Sequence, residues 1–379
     1  MRILHIITGL GQGGAEAMLL KLLQETKNSD VKMAVVALSG PGPLTGSFRK
    51  LGIPLYHLKL NTLWGFISFF FRLQKLTRLF RPSIIQGWMY HGNVVASLVQ
   101  MLLVPKEVKV IWNVRCSMGG MQDYSIITKF VVHISRKLST RAETIIYNSI
   151  VSARQHEIFG FDSDRTKYLP NGFDTEKFSP NEVLKRDTRQ RFGICDGTYV
   201  LGVFARFHPI KGHHDFLEAL AKIVEKHSNT VALMAGRNID SSNTQLVSWV
   251  EKFGLGNHVM LLGPREDLNN LYPALDLYVQ ASLSEAFPNV IGEACSSAVP
   301  CVATDVGDSL KIVKDQLQVV PPNQPVTMAN ACCDILELNA DVREQLGARN
   351  RAIIVEMFSI QKVALAYIEL YSSTLSNTN

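Results

Sequence analysis

Two cations and two carboxylates in the C-terminal half are residue types that can bind anions and hydroxyl groups, and each pair falls within one short segment. In "FARFHPIKG", Arg206 follows an apolar run, and Lys211 comes five residues later, just before a predicted helix. Two cations on one strand-to-helix loop can bind a diphosphate together without a metal ion, or they are ordinary surface cations. In "SLSEAFPNVIGEA", Glu285 lies in a loop, and Glu293 lies one turn into a predicted helix. Glu293 can accept hydrogen bonds from ribose hydroxyls, or it is a solvent-facing helical glutamate.

The helix that carries Glu293 adds a second means of binding phosphate. It is predicted to start at "PN", Pro288 and Asn289. The first backbone amides of a helix lack partners within it, and the helix dipole favours an anion there. The amides of Asn289 and Val290 are therefore candidate phosphate donors.

A glycine-rich loop near the N-terminus suggests a different ligand at first sight. "TGLGQGGAE" contains Gly9, Gly11 and Gly14 in the order G-x-G-x-x-G, after a predicted strand and before a predicted helix. A dinucleotide site also needs an acidic residue about 20 positions further on, and Ser39 and Gly40 stand there instead. The missing carboxylate argues against a nicotinamide-dependent dehydrogenase. Glycines still let a ligand approach the backbone closely at the entrance to a helix.

Short apolar runs alternate with helix-length segments along the chain. This alternation predicts two successive α/β domains with parallel sheets. The turn-rich segment Leu169–Pro180 is the predicted connection between them. Ligands of such sheets bind beyond the carboxyl ends of the strands, which is where the loops with Arg206 and Glu285 fall. The predicted strands are Ile3–Ile7, Val31–Leu38, Leu55–Leu58, Ile84–Gln86, Val108–Asn113, Thr144–Tyr147, Val200–Phe204, Val231–Ala235, Val259–Leu262, Leu277–Gln280 and Pro300–Ala303.

Together these motifs resemble the large GT-B family of retaining glycosyltransferases, glycosyl transferases group 1 of the family 4 type, which includes bacterial transferases for surface polysaccharides. In that family Arg-x4-Lys-Gly precedes Glu-x7-Glu, and a strand like "AVPCVATDVGDS" follows. This chain has the three parts at Arg206–Gly212, Glu285–Glu293 and Ala298–Ser309. The segments Gly13–Glu16 and Leu262–Ser282 match as well.

The resemblance implies an α/β fold with two Rossmann-like domains facing each other across a cleft. Residues 1–170 would form the acceptor-binding domain, joined by a C-terminal helix, from about 357 to 379, that crosses back to it. Residues 171–356 would bind the nucleotide sugar. The implied reaction is retaining and needs neither a metal ion nor a cofactor.

The resemblance also implies a role for each motif residue. Arg206 and Lys211 would neutralise the β-phosphate as the nucleoside diphosphate leaves. Glu285 would bind donor-sugar hydroxyls and stabilise the oxocarbenium-like centre, and Glu293 would bind the ribose. His91 would touch the donor sugar, although a structural histidine at the head of a helix fits equally well. The other predicted donor contacts are Gly13, Gly14, Arg265, Ala286, Phe287, Pro288, Asn289 and Val290.

Two positions depart from the family pattern. Ala286 stands where glycine is usual, and a positive φ there would strain an alanine. In Val306-Gly307-Asp308, aspartate replaces the second glycine, which adds charge to the loop.

The N-terminal domain is predicted to hold the acceptor. Gly11 lies in the glycine loop, and Trp88 follows a strand in "QGWMYHGN", where it can also take the place of His91. Arg115 lies beyond another strand end and would meet an acceptor phosphate, or it forms a structural ion pair. The string Asp162-Ser163-Asp164 resembles a metal-binding motif, but we interpret it as a solvated turn.

Charge is unevenly distributed between the two halves. Met1–Pro170 carries 21 lysines and arginines against 9 acids, net +12, and the rest carries 18 against 24, net −6. The basic half predicts an anionic partner: nucleic acid, a phospholipid surface or a phosphorylated substrate. The segment Trp64–Arg81 mixes phenylalanines with cations. It is either a membrane-facing helix or an ordinary domain helix, and we expect a mixture of the two.

We therefore predict a glycosyltransferase that moves a hexose or N-acetylhexosamine from a UDP-linked donor to a lipid-linked or growing saccharide. The expected location is cytoplasmic, peripheral on the inner face of the membrane and on its anionic surface, with no nucleic acid partner. No apolar stretch is long enough to span a bilayer, and no signal peptide is expected. The alternatives are a sugar-nucleotide epimerase of the same fold and a non-catalytic nucleotide-sugar-binding protein.

Overall fold

The chain folds into two compact units. The computed structural model describes residues 1–58 and 63–376, without the side chains of 63–68 and 123. One unit comprises Met1–Gly172 with Ile360–Asn379, and the other comprises Phe173–Ser359. The expected boundaries were 170 and about 357.

The N-terminal unit is built on a parallel sheet. Among the described residues it has seven strands in the order β3-β2-β1-β4-β5-β6-β7. Every paired register is parallel, so all carboxyl ends lie on one edge. The short, half-exposed β7 was not predicted, because its three residues lack an apolar run. The strands are β1 (Arg2–Ile7), β2 (Lys32–Ala37), β3 (Leu55–His57), β4 (Ile84–Trp88), β5 (Lys109–Val114), β6 (Thr144–Tyr147) and β7 (Thr166–Tyr168).

Helices cover both faces of this sheet. Side chains alternate along β1, so Ile3 and Ile7 pack on one face while Leu4 and Ile6 pack on the other. The first face is covered by α1 (Gly14–Glu25), α2 (Thr45–Lys50) and the C-terminal helix α15 (Ile360–Ser376). The second face is covered by α3 (Leu63–Phe80), α4 (Met89–Leu102), α5 (Ile126–Leu138) and α6 (Ile150–Phe159).

The C-terminal unit repeats the same architecture. Its parallel sheet has six strands among the described residues, in the order β10-β9-β8-β11-β12-β13. The two-residue β13 was not predicted. The strands are β8 (Tyr199–Phe204), β9 (Thr230–Ala235), β10 (Val259–Leu261), β11 (Leu277–Gln280), β12 (Cys301–Thr304) and β13 (Val319–Val320). The helices are α7 (Glu182–Arg191), α8 (His213–Lys226), α9 (Thr244–Lys252), α10 (Leu268–Leu271), α11 (Asn289–Ser296), α12 (Ser309–Val313), α13 (Pro325–Leu336) and α14 (Ala340–Ile353).

The C-terminal helix α15 completes the core of the N-terminal unit. Tyr367 and Tyr371 are fully buried in the hydrophobic cluster of the first face. The Tyr367 hydroxyl accepts hydrogen bonds from Asn113 Nδ2 and Arg115 Nη1, each at 2.8 Å. The Tyr371 hydroxyl donates to Gln86 Oε1 at 2.5 Å. Helix α15 is therefore part of the N-terminal fold.

No helix in the described ranges has both the length and the apolar character needed to cross a membrane.

Candidate active site

Lys211 is held at the carboxyl edge of the C-terminal sheet by the loop between β8 and α8. This loop ends in a 3-10 turn, Pro209–Lys211, capped by the His208 side chain. Gly212 follows with φ +63°, and a Cβ there would lie 2.0 Å from the Ala281 carbonyl oxygen. The Leu283 amide donates to the Ile210 carbonyl at 2.7 Å. The loop is thereby fastened to the segment that follows β11, and only glycine fits at 212.

The structure brings Lys211 and Glu285 together. Lys211 Nζ forms an ion pair with Glu285 Oε1, and the Ser282 hydroxyl donates to the same oxygen at 2.8 Å. The side chains of Lys211 and Glu285 are only 19% and 14% exposed. Thr304 Oγ1, at the end of β12, donates to the Ser282 carbonyl at 2.5 Å. Three consecutive strand ends thus position one lysine–carboxylate pair.

Arg206 lies on the same loop as Lys211 but has a different environment. Its side chain is exposed, and within the described part of the chain its guanidinium makes no ion pair. Its backbone carbonyl accepts from His213 Nε2 at 3.0 Å. Burial lowers the pKa of His213, so this imidazole is neutral and serves to fix the loop. Arg206 is thus free to meet an anion from solvent.

Ala286 is accommodated without backbone strain. Among the described residues, positive φ at non-glycine positions occurs at six sites, and Ala286 is not one of them. The left-handed residue is Gly307, with φ +58°, and a Cβ there would lie 2.3 Å from the Ala286 carbonyl oxygen. The Asp308 amide donates to this same oxygen at 3.0 Å. The Val306-Gly307-Asp308 segment therefore supports the loop that carries Glu285.

The first turns of α11 hold Glu293 beside a buried phenol. The Tyr272 hydroxyl lies 3.3 Å from Glu293 Oε2 and 3.2 Å from the Val290 carbonyl oxygen. Burial, reinforced by the Glu293 charge, raises the pKa of Tyr272 well above its ordinary value, so the phenol stays a donor. Glu293 and Asn289 are half-buried. Glu293 is therefore positioned by Tyr272 rather than freely solvated.

Other predicted donor contacts have structural partners of their own. The Phe287 side chain is buried against Phe173 and Phe358, so a ligand can reach only its backbone. Pro288 is buried immediately before α11. Arg265 donates from Nε and Nη2 to Asp267 at 2.8 and 2.5 Å. These hydrogen bonds lower the pKa of Asp267, and a donor contact would have to share or displace them.

His91 lies in the first turn of α4, at the carboxyl edge of the N-terminal sheet. The chain turns from β4 into α4 at Met89, which has φ +61°. Gly92 allows the helix to approach β1, because a Cβ there would lie 2.4 Å from the Ile6 carbonyl oxygen. His91 is half-buried, and desolvation lowers its pKa. It is thus a neutral imidazole near the end of β1, which leads into the glycine loop.

The glycine loop is closely packed rather than left-handed. Gly11, Gly13 and Gly14 are not among the positive-φ glycines of the described chain. The Glu16 carboxylate instead folds back over the loop, so that a Cβ on Gly13 would lie 2.4 Å from Glu16 Oε2. Gly13 precedes α1 without a side-chain cap. The glycines therefore provide space next to a carboxylate at the start of α1.

Two acceptor-binding predictions do not fit the structure. Trp88 is fully buried, and its indole Nε1–H donates to His5 Nδ1 at 3.2 Å. Arg115 is buried too and donates to Asn113, Asn171 and the Pro170 carbonyl as well as to Tyr367. Trp88 has no exposed surface for an acceptor, and Arg115 is only 9% exposed, with its guanidinium donors already engaged. Within the described part of the chain these partners of Arg115 are neutral, and no ion pair of this side chain is seen there.

Several supporting residues were not predicted from the sequence. They hold the predicted site residues in place through hydrogen bonds, and they are Ser282, Thr304, Tyr272 and His213. Ser282 and Thr304 lie inside quoted motifs, directly after strands, which was the available signal. Nothing in the local pattern marks Tyr272 or His213.

The Asp162-Ser163-Asp164 string is a capped turn. Asp162 Oδ1 accepts from the Asp164 amide at 3.0 Å, at the start of a 3-10 turn, Ser163–Arg165. Across the described residues, no three His, Cys, Asp or Glu side chains are grouped as metal ligands.

Two glycosyltransferase family models match the chain, one in each unit. The model described as Glycosyltransferase Family 4 matches residues 12–177, and that described as Glycosyl transferases group 1 matches residues 185–353. The second match contains Arg206, Lys211, Glu285 and Glu293.

Individual proteins show the same relationship over nearly the whole length. An Escherichia coli UDP-Gal:alpha-D-GlcNAc-diphosphoundecaprenol alpha-1,3-galactosyltransferase is 27% identical over 346 residues, 89% of this chain and 88% of the relative. The crystal structure of HepE from Anabaena in complex with UDP superposes with a TM-score of 0.85 at 21% identity, covering 98% of this chain and all of HepE. That of WaaG, a glycosyltransferase involved in lipopolysaccharide biosynthesis, gives a TM-score of 0.72 at 14% identity, with coverages of 98% and 99%. The two structures share the GT-B fold with this chain.

Strands β2 to β7 of the first parallel sheet fall within one family match and the whole second sheet within the other, and the lysine–glutamate pair lies within the group 1 match. The chain belongs to the GT-B glycosyltransferases of group 1 and family 4.

Proposed function

We propose that the protein is a retaining, metal-independent transferase that takes a hexose or N-acetylhexosamine from a UDP-sugar. The observation that carries the proposal is the half-buried Lys211–Glu285 pair beside the exposed Arg206. HepE was crystallised with UDP and with UDP-glucose, and the galactosyltransferase relative is named for a UDP-linked donor. A UDP-sugar is therefore the donor class that we assign to the C-terminal unit.

The lysine–glutamate pair suggests how the donor engages the site. A diphosphate next to Lys211 and Arg206 competes for the ammonium group and releases Glu285 from it. Glu285 then accepts hydrogen bonds from the donor-sugar hydroxyls and stabilises positive charge at the anomeric carbon. The two cations neutralise the leaving diphosphate, which is the task that a metal ion would otherwise perform.

Retention follows if the acceptor attacks from the side of the leaving group. The bond from the anomeric carbon to the diphosphate oxygen breaks, and the bond to the acceptor oxygen forms on the same face. The acceptor proton passes to the phosphate oxygen that leaves the anomeric carbon, and UDP is released. Glu285 takes no covalent part in this scheme.

We assign the acceptor to the N-terminal unit, at the carboxyl edge with His91 and the loop of Gly11, Gly13 and Gly14. The relative from Escherichia coli is named for a diphosphoundecaprenol acceptor, which supports a lipid-linked saccharide. Such an acceptor requires a location on the cytoplasmic face of the membrane. Helix α3 fits this location, since Phe69 is buried while Phe71, Arg72, Lys75 and Arg78 are exposed. Phe66, also part of the predicted membrane helix, lies outside the described side chains.

A donor screen tests the proposal. The purified chain is incubated with UDP, ADP and GDP sugars, and its melting temperature is measured. A ligand at 100 times its Kd stabilises by about 2.7 kcal/mol, which gives a clear shift. We expect UDP-sugars to give the largest shift, and transfer to a lipid-diphosphate saccharide to keep the anomeric configuration by NMR with or without EDTA. Inversion, loss of transfer in EDTA, or epimerisation of the UDP-sugar without acceptor would contradict the proposal.

A charge variant tests the location separately. Replacing Arg72, Lys75 and Arg78 with glutamine removes three exposed cations, each worth about 1 kcal/mol near anionic headgroups. We expect weaker sedimentation with anionic vesicles and an unchanged response to UDP. Unchanged sedimentation would remove α3 from the membrane-facing surface.

A further inference from the structure

One face of the N-terminal sheet is covered by three consecutive helices without an acidic residue. Helices α3, α4 and α5 all pack in the same hydrophobic cluster. Their sequences contain six lysines and arginines and no aspartate or glutamate. Helix α6, which also covers this face, adds Arg154 and Glu157. On the opposite face, α1 and α15 carry both signs of charge, and α2 adds Arg49 and Lys50. The positive charge of this unit is therefore concentrated on one helix layer, which we call the α3–α5 face.

The α3–α5 face also exposes large apolar side chains. On α5, Ile126 is 86% exposed, Ile127 71% and Phe130 65%. On α3, Phe71 is 68% exposed and Leu79 73%. Exposed apolar groups concentrated on one face mark a binding surface more often than single scattered ones do.

The exposed side of α5 changes character along the helix. Ile126, Phe130, His133 and Lys137 are spaced at i, i+4, i+7 and i+11, and all are exposed. Val132, on the opposite side of the helix, is fully buried. The outward stripe is thus apolar over the first two turns and polar to cationic over the last. On a lipid bilayer, a helix with such a stripe places its apolar end among the acyl chains and its cations among the headgroups.

The apolar end of α5 lies at the functional edge of the sheet. Helices α4 and α5 follow the parallel strands β4 and β5, so both begin at the carboxyl edge. His91 is in the first turn of α4, and its neighbour Tyr90 contacts Tyr124, two residues before α5, with ring centroids 6.3 Å apart. The exposed isoleucines therefore begin close to the edge to which we assign the acceptor.

We propose that the α3–α5 face docks on an anionic bilayer, with Ile126, Ile127 and Phe130 inserted below the headgroups. Attraction between cations and anionic lipid combines with burial of apolar surface. A second copy of this chain is the less suitable occupant, because apposing two such faces would bring like charges together. The inference rests on the proposed function only in that a lipid-linked acceptor would be presented at this edge.

Vesicle binding by the full chain tests the proposal without donor or acceptor. We use phosphatidylcholine vesicles with and without about one third phosphatidylglycerol. The wild type should bind the anionic vesicles, and the variant Ile126→Ser/Ile127→Ser/Phe130→Ser should bind about tenfold or more weakly. The matched control is Val183→Ser/Leu317→Ser/Leu365→Ser, which removes three other exposed apolar side chains. This control should bind like the wild type.

Insertion itself needs a separate readout. In a Phe130→Trp variant, emission should shift to the blue on anionic vesicles and be quenched by brominated acyl chains. Equal binding by the α5 triple variant and the wild type, or no quenching of the new indole, would overturn the proposal. A wild-type dimer that the triple variant converts to a monomer, without vesicle binding, would assign the face to a second copy instead. The melting shift with UDP, measured on the same proteins, reports separately on the donor site.

Discussion

At the residue scale, the central feature is that one carboxylate oxygen is shared by two donors. Glu285 Oε1 accepts from both Lys211 and Ser282, in surroundings that leave the carboxylate side chain only 14% exposed. A pair this far from solvent is not a typical surface salt bridge, because its removal leaves the other charge poorly solvated. In the proposed reaction these two groups separate when a diphosphate and a sugar bind.

We expect Lys211→Ala and Glu285→Ala each to lower kcat/KM by about 100- to 1000-fold, because each removes a group that acts on transition-state charge. Both variants should remain folded by circular dichroism. Lys185→Ala is the matched control, since Lys185 pairs at 3.7 Å with Glu182, which is 86% exposed. Turnover within a factor of a few of wild type in either site variant would refute the assignment.

At the element scale, two glycines decide where the loops that carry Lys211 and Glu285 lie. Gly212 lets the Lys211 loop pack closely on the Ala281 carbonyl, which follows β11. Gly307 lets the loop after β12 pack closely on the Ala286 carbonyl. Both have positive φ, so an alanine would be strained and would also overlap a backbone atom. These contacts make the active-site loops depend on each other.

A matched pair of glycine variants separates strain from contact. Gly193 has φ +64° and nothing within 4 Å of an added Cβ, whereas Gly212 has φ +63° and a carbonyl oxygen at 2.0 Å. We expect Gly193→Ala to cost about 1–2 kcal/mol of stability and leave the donor KM unchanged. Gly212→Ala should cost more and raise the donor KM, because Lys211 must move. Equal stability and equal KM in the two variants would show that the contact is unimportant.

At the scale of the whole molecule, helix α15 packs in the unit that contains β1, although the other unit lies between them in sequence. Helix α15 supplies buried tyrosines to a polar cluster with Asn113, Arg115 and Gln86. This cluster, rather than an acceptor phosphate, accounts for the position of Arg115. The N-terminal unit is therefore incomplete without the last helix.

Removing one hydroxyl tests this closure. Tyr367→Phe deprives Asn113 Nδ2 and Arg115 Nη1 of an acceptor, and we expect a loss of about 1–3 kcal/mol from the free energy of unfolding. Urea unfolding can be followed by tryptophan fluorescence, since three of the four tryptophans lie in this unit. Tyr56→Phe, at a 42% exposed position, should change nothing. Identical midpoints for the two variants would contradict the role of Tyr367.

The N-terminal unit should also lose stability in mild acid. Burial lowers the pKa of His5 to about 3 and that of His156 to about 4. His156 Nδ1 lies 2.7 Å from the Ser152 carbonyl, so Nδ1 carries the proton, and Nε2 accepts from the Tyr90 hydroxyl. Because the unfolded state takes up protons near pH 6.5 and the folded state does not, stability is full above that pH and falls below it.

Between pH 7.5 and pH 5, each of these histidines should account for a loss of about 2 kcal/mol in the free energy of unfolding. Urea titrations at several pH values, followed by tryptophan fluorescence, measure the slope. His156→Gln should be less stable at pH 7.5 and show a smaller slope than the wild type, because one proton fewer is taken up on unfolding. A slope equal to that of the wild type would indicate that His156 is already charged in the folded protein.

Much of the fold and of the donor site was predictable because it is encoded locally. Buried parallel strands read as apolar runs, and residues just after such runs must lie at the carboxyl edge, which is how Arg206, Lys211 and Glu285 were found. The short strands β7 and β13 escaped prediction, since two or three residues carry too little periodicity. The role of Gly307 also escaped, because its partner Ala286 is distant in sequence.

The sequence by itself determined the α/β class, the family and the residue types available at the strand ends. Only the tertiary structure decided that Lys211 pairs with Glu285, that Ala286 avoids positive φ, and that Trp88 and Arg115 are buried. The physical reason is that burial of a loop side chain depends on what other elements place beside it. For Arg115 that element is α15, which arrives from the far end of the chain.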